Sequence, residues 1–215
     1  MEWEKKVTLI KKAVNSPKPG LKSQLSMVTE PRPGHKTYTE MKNKCKKAGV
    51  MVLFFSWKNK LYLILTRRTD MVQYHPNQIS FPGGQCEPKE SPVKASLRET
   101  YEELGISENE IKILGELTPL YIPPSQYCIY PVVGIINERP AYKPRAKEVA
   151  EIIEIPLTHI LDDKNLFRET WNLNNRKVRV PFYLYKKHKI WGATAMVLAE
   201  FLDVIRPVLK KEHWE

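Results

Sequence analysis

Short apolar runs separated by polar turns dominate the middle of the chain. The segments GVMVLFFSW (49–57) and LYLILTRR (61–68) flank the polar residues KNK, and both are too apolar to have one fully solvated face. They predict two strands joined by a tight turn. Further strands are predicted for three segments rich in β-branched and aromatic residues and for a late hairpin, namely 111–120, 127–137, 151–157 and 177–192.

Apolar residues at helical spacing mark both ends of the chain. In residues 3–14 they share one side of a helix wheel that carries lysines elsewhere, which predicts a basic amphipathic helix. Packing of this helix on the main domain is favoured over docking to a membrane or a nucleic acid. The proline-containing stretch 17–40 predicts an extended segment without a helix, and residues 193–205 predict the last helix.

Residues 92–104 carry helix signals at both ends. Ser91 can cap the start, Pro92 suits the first helical position, and Gly105 stands where helices often end in a left-handed residue. At about 100° per residue, apolar positions gather on one side and glutamates on the other, which sets Val93, Leu97, Tyr101 and Leu104 against Glu99, Glu102 and Glu103. The glutamates are therefore predicted to face solvent.

The mixture of strands with few helices predicts an α/β sandwich built on a mixed sheet. The 215 residues suffice for one domain with extensions, and the 42% of apolar residues provide a core. Lysine and arginine outnumber aspartate and glutamate by 35 to 24, so the surface favours anionic partners. No nucleic-acid-binding motif accompanies this charge, and we predict a small-molecule substrate rather than a nucleic acid.

Cysteine usage and hydropathy bear on the compartment. Cys45, Cys86 and Cys128 are odd in number and form no CxxC pair, which predicts reduced thiols. No apolar run has the roughly 20 residues needed to cross a bilayer, and the charged N-terminus does not match a signal peptide. We therefore predict a cytoplasmic protein with no membrane partner.

The glutamates of the predicted helix are candidate metal ligands. Glu99 and Glu103 are four residues apart with Glu102 between them, so their oxygens can converge on hard divalent cations. Like charges at this spacing repel one another, and a bound cation would offset the repulsion. Arg98 can pair with Glu102, four residues on, and hold the cluster in place. The alternative is a solvated acidic face without chemistry.

The loop before this helix decides between these alternatives. Gly83 and Gly84 let the backbone approach a ligand closely, and the Gly83 carbonyl can serve as a further oxygen ligand. Segment 84–106 spaces its glycines, glutamates and arginine as the Nudix box does, with all seven fixed positions filled. The chain therefore resembles the Nudix hydrolase superfamily, and departs from the box only at Thr100, where an aliphatic residue is usual.

This resemblance implies a fold, a reaction and a set of site residues. Nudix hydrolases are α/β/α sandwiches that hydrolyse a diphosphate linked to another group, with Mg²⁺ or Mn²⁺ as cofactor. The implied division is an N-terminal helix and extended segment (1–47), a Nudix domain (48–205) and a C-terminal tail (206–215). The implied catalytic residues are Arg98, Glu99, Glu102, Glu103 and a general base, which comes from the box or from a later loop, where Glu148 is preferred to Glu151. The implied metal ligands are Gly83, Glu99, Glu102 and Glu103.

The segment before the box is more selective. Residues 63–84 resemble the coenzyme A diphosphatases of the superfamily in their Thr-x-Arg, His-x-x-Gln and FPGG elements, although Asn77 replaces the usual glycine. Coenzyme A would yield 4′-phosphopantetheine and adenosine 3′,5′-bisphosphate. Alternatives are ADP-ribose, NADH or another nucleotide as substrate, or a ligand-binding Nudix module without turnover; a homodimer is left open. The implied substrate contacts are Arg68, His75, Gln78 and Gly84. Arg68, or Arg67 as the alternative, is predicted to bind the ribose 3′-phosphate that coenzyme A carries and ADP-ribose lacks.

Overall fold

A mixed β-sheet forms the centre of the protein, with helices on both faces. The computed structural model describes residues 2–32, 34, 36–70, 77–173 and 175–211. The strands are β1 (Lys46–Trp57), β2 (Lys60–Arg68), β3 (Ile79–Ser80), β4 (Gly83–Gln85), β5 (Lys112–Glu116), β6 (Leu120–Ile122), β7 (Tyr127–Ile136), β8 (Val149–Pro156), β9 (Leu166–Leu173), β10 (Arg176–Tyr185) and β11 (His188–Ile190). The helices are α1 (Glu2–Val14), α2 (Leu21–Leu25), α3 (Tyr38–Met41), α4 (Pro92–Leu104), α5 (Leu157–Leu161) and α6 (Gly192–Lys211).

The sheet is organised around β1. This strand runs parallel to β7, from the pair Lys46↔Tyr127 to the pair Phe55↔Ile136. It also forms an antiparallel hairpin with β2, and β2 pairs with β8 on its far side. The remaining strands β9, β10 and β11 make a separate antiparallel sheet. The predicted α/β fold with a mixed sheet is therefore confirmed.

Alternate residues of β1 feed two hydrophobic clusters, as the period of a strand requires. Val52 and Phe54 face a large cluster that includes α1 and α6, and the rings of Phe54 and Phe201 lie 5.7 Å apart. Leu53 and Phe55 face a smaller cluster that includes Leu104 of α4. This arrangement places α4 on one face of the sheet and α1 with α6 on the other.

The N-terminal segment packs into the larger cluster. Val7, Ile10 and Val14 of α1 are buried there, which supports packing on the domain over docking elsewhere. The prediction that 17–40 contains no helix is wrong, because α2 and α3 fall within it. Helix propensity does not explain why the short α2 forms. The Gln24 side chain of α2 is fully buried and donates a hydrogen bond to Glu200 of α6 at 2.8 Å, which is a long-range contact. The domain division at residue 47 stays a prediction.

The prediction of three reduced thiols is wrong for two of them. Cys45 and Cys128 form a disulfide, with their Cα atoms 5.6 Å apart, and Cys86 is free. The sequence separation of 83 residues conceals this proximity, which the parallel pairing of β1 with β7 creates. Among the described residues, no helix combines the length and apolar character needed to span a bilayer.

Two elements near the C-terminus differ from their predictions. Strand β9 was not predicted, because it is mostly exposed and polar and depends on pairing with β10 for its ladder. Helix α6 continues to Lys211, past the predicted end at residue 205, and includes Pro207. The late hairpin is confirmed as β10 and β11, joined at Tyr185↔His188 through a two-residue turn.

Candidate active site

Helix α4 forms as its local signals predict. The Ser91 hydroxyl accepts a hydrogen bond from Lys94 N at 3.3 Å, and Pro92 occupies the first turn. Gly105 adopts φ 72° and donates its N–H to the Tyr101 carbonyl at 2.8 Å, which closes the C-terminus. The predicted bounds 92–104 are confirmed.

The predicted division of α4 into a core side and a carboxylate side is partly wrong. Tyr101, assigned to the core, is 60% exposed, whereas Glu103, assigned to solvent, is 2% exposed. The buried side runs instead through Ser96, Thr100 and Glu103. Thr100 stands where an aliphatic residue is usual, yet its buried hydroxyl is not left unpaired, because it donates a hydrogen bond to the Ser96 carbonyl at 2.6 Å.

The two glycines before α4 allow close approaches: the backbone at Gly83 approaches the backbone of β1, and the backbone at Gly84 approaches the carboxylate of Glu99. Gly83 has φ 151°, and a Cβ there would lie 2.4 Å from the Gly49 carbonyl oxygen. A Cβ on Gly84 would lie 2.4 Å from the Glu99 carboxyl carbon. Any larger residue at either position would therefore displace β1 or push Glu99 out of place.

Arg98 organises the carboxylates. Its Nε and Nη2 bind both oxygens of Glu90, at 3.0 and 3.1 Å, and its Nη1 donates to Glu99 at 2.8 Å and to Glu102 at 3.2 Å. Nη2 also reaches the Gln85 carbonyl at 3.1 Å. The hydrogen bonds from Arg98 lower the pKa of Glu90, although partial burial opposes them. The bidentate pairing with Glu90 fixes the guanidinium in one plane, so Arg98 holds three glutamates of the box in defined positions.

Glu103 lies deepest in the site. Burial raises its pKa to about 8, because the nearby charge of Arg68 offsets burial only in part and Glu99 and Glu148 add to the rise. Arg68 Nη1 is 3.7 Å from Glu103 Oε1, and Glu103 Oε2 is buried without a hydrogen-bond partner among the described residues. The pKa of Glu99 is raised as well, chiefly because this carboxyl is partly buried. Burial thus disfavours the anionic forms of Glu99 and Glu103, and a cation bound beside them would stabilise those forms.

The loop between β7 and β8 closes over the C-terminal end of α4. Backbone N–H groups of Lys143 and Arg145 donate to the carbonyls of Leu104 and Glu103 at 2.8 and 3.0 Å. The Arg145 side chain then bridges two carboxylates, at 3.1 Å from Glu148 and 3.6 Å from Glu102. The anchored loop therefore brings Glu148 beside the box.

Glu151, the alternative for the base, has other partners. Arg67 Nε donates to Glu151 Oε2 at 3.1 Å, and His188 Nε2 lies 3.2 Å from Glu151 Oε1. Burial raises the pKa of Glu151, but the Arg67 hydrogen bond and the charges of His188 and Lys187 outweigh burial, so the pKa falls below its ordinary value. Neither oxygen is left to face α4.

The remaining predicted contacts differ in position. The Gln78 carbonyl accepts a hydrogen bond from Arg68 N at 3.0 Å, which ties the segment before the box to β2. His75 lies outside the described residues. Sequence reasoning missed Arg145 and His188. The only local sign of Arg145 is its spacing of three residues before Glu148, and nothing local points to His188, because its partner lies on another strand.

The donor set of this site fits divalent cations. Glu99, Glu102 and Glu103 supply hard oxygen ligands from one turn of α4, and Glu103 Oε2 has an unmet capacity to bind one. Within the described ranges, no three acidic, histidine or cysteine side chains lie together in a metal-binding arrangement. Arg98 forms ion pairs with Glu99 and Glu102.

The fold and the site together define a class of protein with a mixed sheet, a two-glycine strand and a cluster of carboxylates on the helix that follows it. The NUDIX domain model matches residues 46–170. The chain is 33% identical over 150 residues to the uncharacterized Nudix hydrolase NudL of Photorhabdus laumondii, covering 69% of this chain and 80% of the relative. It is 30% identical over 164 residues to the human mitochondrial coenzyme A diphosphatase NUDT8, covering 74% and 70%.

A solved structure agrees on the fold. A MutT/nudix family protein from Enterococcus faecalis superposes with a TM-score of 0.50 at 19% identity, over 81% of this chain and 64% of that one. The chain belongs to the Nudix family and is a Nudix hydrolase, a class that splits diphosphate linkages and generally uses divalent metal ions.

Proposed function

We propose that this Nudix hydrolase splits the diphosphate of coenzyme A into 4′-phosphopantetheine and adenosine 3′,5′-bisphosphate. The observation that carries this choice is the 30% identity to a human protein named as a coenzyme A diphosphatase. The Thr-x-Arg, Gln78 and FPGG elements before the box agree with it. The formal charge of +11 suits so anionic a substrate.

The proposed ions are Mg²⁺ or Mn²⁺, held by Glu99, Glu102, Glu103 and the Gly83 carbonyl. When bound, they neutralise the diphosphate oxygens and lower the pKa of a bound water. The raised pKa values of Glu103 and Glu99 support this assignment, because both carboxyls are disfavoured as bare anions. Arg98 keeps Glu99 and Glu102 at the mouth of the site through hydrogen bonds of 2.8 and 3.2 Å.

We propose Glu148 as the general base. It accepts the proton of the water that attacks one phosphorus, and the phosphorus–oxygen bond to the leaving phosphate breaks as the new bond forms. Its position beside Glu102 through Arg145 supports this role, whereas Glu151 is held by Arg67 and His188.

Arg68, predicted from the sequence to bind the ribose 3′-phosphate, is proposed instead as a contact to the diphosphate itself. Its Nη1 lies 3.7 Å from Glu103 Oε1, and its Nε is buried without a partner among the described residues. A guanidinium with unused donors at this depth can bind a phosphate oxygen that approaches the carboxylate cluster. Gly84 leaves the space beside Glu99 in which such an oxygen would fit.

The test is a hydrolysis screen with Mg²⁺ or Mn²⁺ over coenzyme A, ADP-ribose, NADH and nucleoside triphosphates. We expect the highest kcat/KM for coenzyme A and products with one phosphate on pantetheine and two on adenosine. Faster hydrolysis of ADP-ribose or NADH would reject the substrate, and turnover of none of them would favour a ligand-binding module.

A further inference from the structure

Among the described residues, three arginines contact the carboxylates of the site, and they differ in how many of their donors are used. Arg98 uses all three of its side-chain nitrogens in hydrogen bonds with the box and with the strand before it. Arg68 is mostly buried and is directed at the deepest carboxylate. The Arg145 side chain is 52% exposed, and its ion pairs with Glu102 and Glu148 use only Nη1. Arg145 is therefore the arginine whose donors are most available to a ligand.

The backbone at Arg145 is fixed independently of its side chain. Its N–H donates to the Glu103 carbonyl at 3.0 Å, and its carbonyl accepts a hydrogen bond from Glu148 N at 2.9 Å. Thr69, just beyond the end of β2, holds the same loop from the other side, because its hydroxyl donates to the Lys147 carbonyl at 2.8 Å. A change of the Arg145 side chain therefore leaves these anchors of the loop in place.

The two ion pairs of Arg145 are weak enough to be exchanged for another anion. Its Nη1 lies 3.6 Å from Glu102 Oε2, and the side chains of both Glu102 and Glu148 are partly exposed. Water screens ion pairs of this exposure, and a long side chain loses rotamer freedom when such a pair holds it. In the part of the chain that the structure describes, Arg145 Nε and Nη2 have no carboxylate partner. These two nitrogens are adjacent in the guanidinium, the arrangement that binds two oxygens of one phosphate group.

Glu102 connects Arg145 to the proposed metal ligands. Its Oε1 accepts a hydrogen bond from Arg98 at 3.2 Å, and its Oε2 is the oxygen that pairs with Arg145. A divalent cation on Glu102 would compete with Arg145, because both are positive charges that require the same carboxylate. Glu102 and Arg145 are exposed whereas Glu103 is buried, so Arg145 lies at the outer rim of the carboxylate cluster. A guanidinium released from Glu102 at this rim is placed to meet an anion that approaches from solvent.

We propose that Arg145 is a substrate-binding residue, which donates Nε and Nη2 to oxygens of the diphosphate that the enzyme splits. Without substrate it neutralises Glu102 and Glu148; with substrate it neutralises the phosphate that leaves when the phosphorus–oxygen bond breaks. Arg145 keeps its own proton throughout, and the proton of the attacking water goes to Glu148. This inference rests on the roles proposed for Glu102 and Glu148 and deepens them. It does not depend on coenzyme A, because the whole class splits diphosphate linkages.

Arg139 provides a matched control on the same loop between β7 and β8. Its side chain is 49% exposed, and its Nε lies 2.9 Å from Glu154 Oε1. Its guanidinium also lies 5.4 Å from the Trp57 ring centre. Among the residues that the structure describes, Arg139 forms no ion pair with a glutamate of the box. Arg139→Gln therefore removes a guanidinium of similar exposure and leaves the carboxylate cluster intact.

Calorimetry with two ligands tests the inference on the wild type, Arg145→Gln, Arg145→Lys and Arg139→Gln. The ligands are Mn²⁺ alone and, with Mn²⁺ in excess, methylenediphosphonate, whose bridging carbon prevents hydrolysis. Arg145→Gln should bind the diphosphonate about 10- to 100-fold more weakly, because charge-assisted hydrogen bonds are lost. It should bind Mn²⁺ alone about 2- to 5-fold more tightly, because Arg145 no longer competes for Glu102.

The two other variants calibrate these shifts. Arg145→Lys, which keeps the charge without two parallel donors, should bind the diphosphonate with an intermediate affinity. Arg139→Gln should stay within about 2-fold of the wild type for both ligands. A disordered loop would weaken the binding of both ligands, so the opposite signs separate a substrate contact from a structural role. Weaker binding of both ligands by Arg145→Gln, or unchanged binding of the diphosphonate, would overturn the inference.

Turnover separates a contact to the substrate from an effect exerted through Glu148. Arg145→Gln should lower kcat/KM by about 10- to 100-fold, and by a similar factor when it is added to Glu148→Gln. An arginine that only orients Glu148 would have no further effect in that background, and this result would reject the substrate contact. The assays use the diphosphate compound that the hydrolysis screen finds to be the fastest. If the screen rejects coenzyme A, the proposed substrate fails, and the diphosphonate titration still decides the role of Arg145.

Discussion

Helices α4 and α6 lie on opposite faces of the same sheet, and each buries a glutamate. Glu200 of α6 is fully buried and accepts hydrogen bonds from Gln24 Nε2 at 2.8 Å, Thr118 Oγ1 at 2.6 Å and Thr118 N at 3.2 Å. Glu103 of α4 is 2% exposed, yet one of its oxygens has no partner among the described residues. Burial alone therefore does not separate a structural carboxylate from a functional one.

The two glutamates differ in how the oxygens of their carboxylates are paired. Glu200 is satisfied by the chain, and in return it joins α6 to α2 and to the loop after β5. Glu103 Oε2 has no hydrogen-bond partner among the described residues, which agrees with its proposed role as a metal ligand. The carbonyl of the same residue accepts a hydrogen bond from the loop that carries Glu148. A buried carboxylate with an unmet oxygen thus indicates chemistry, whereas a satisfied one indicates architecture.

The same substitution at the two positions should have opposite effects, and the larger is on catalysis. Glu103→Gln should lower kcat/KM by about 10²–10⁴-fold, because a proposed metal ligand is lost while the shape is kept. Mn²⁺ should raise the melting temperature of the wild type but not of the variant. Full activity of Glu103→Gln in Mn²⁺, or full wild-type activity in excess chelator, would break the comparison.

The glutamates of β8 and the loop before it provide the next test on the α4 side. Glu148→Gln should reduce kcat by about 10²–10⁴-fold, as expected for loss of a general base, and the acid limb of its pH–rate profile should flatten. Glu151→Gln, the matched control three residues on in β8, should change kcat less than about 10-fold because Glu151 is held by Arg67 and His188. If neither variant loses rate, the base lies within the box.

On the α6 side, Glu200→Gln should reduce stability and leave catalysis unchanged. The new amide would set donors against Gln24 and Thr118, so we expect a loss of about 1–3 kcal/mol in the free energy of unfolding. Denaturant titration measures this, with kcat determined on the folded fraction. A drop in kcat without a loss of stability would mean that Glu200 also acts on the site.

The smallest expected effect is the pH dependence of stability in metal-free protein. Glu103 has a folded-state pKa of about 8, above the value of about 4.3 in an unfolded chain. Its contribution to stability is therefore complete below the unfolded value and is lost as pH rises through about 8. Between about pH 5 and pH 9 the wild type should lose stability relative to Glu103→Gln, measured by denaturant titration. Parallel curves for the two proteins would contradict the buried charge.

Local chemistry made much of this protein predictable. The ends of α4 follow from Ser91, Pro92 and Gly105, which act within one helical turn, and the box is recognisable because its glycines and glutamates lie within one short segment. The apolar runs of β1 and β2 predict strands for the same reason, because the strand signal comes from residues that are neighbours in the chain. Chain order and residue spacing thus determined the fold class, the family and the cluster of carboxylates.

Relations between distant segments were decided only in three dimensions. Whether Tyr101 or Glu103 enters the core depends on which side of α4 the sheet covers, and a helix wheel does not contain that information. Cys45 meets Cys128 because β1 and β7 run parallel, and Glu148 meets the box because its loop binds the carbonyls at the end of α4. The sequence by itself therefore determined which groups can do the chemistry, while long-range strand pairing and burial decided which of them meet and which oxygen is left unpaired.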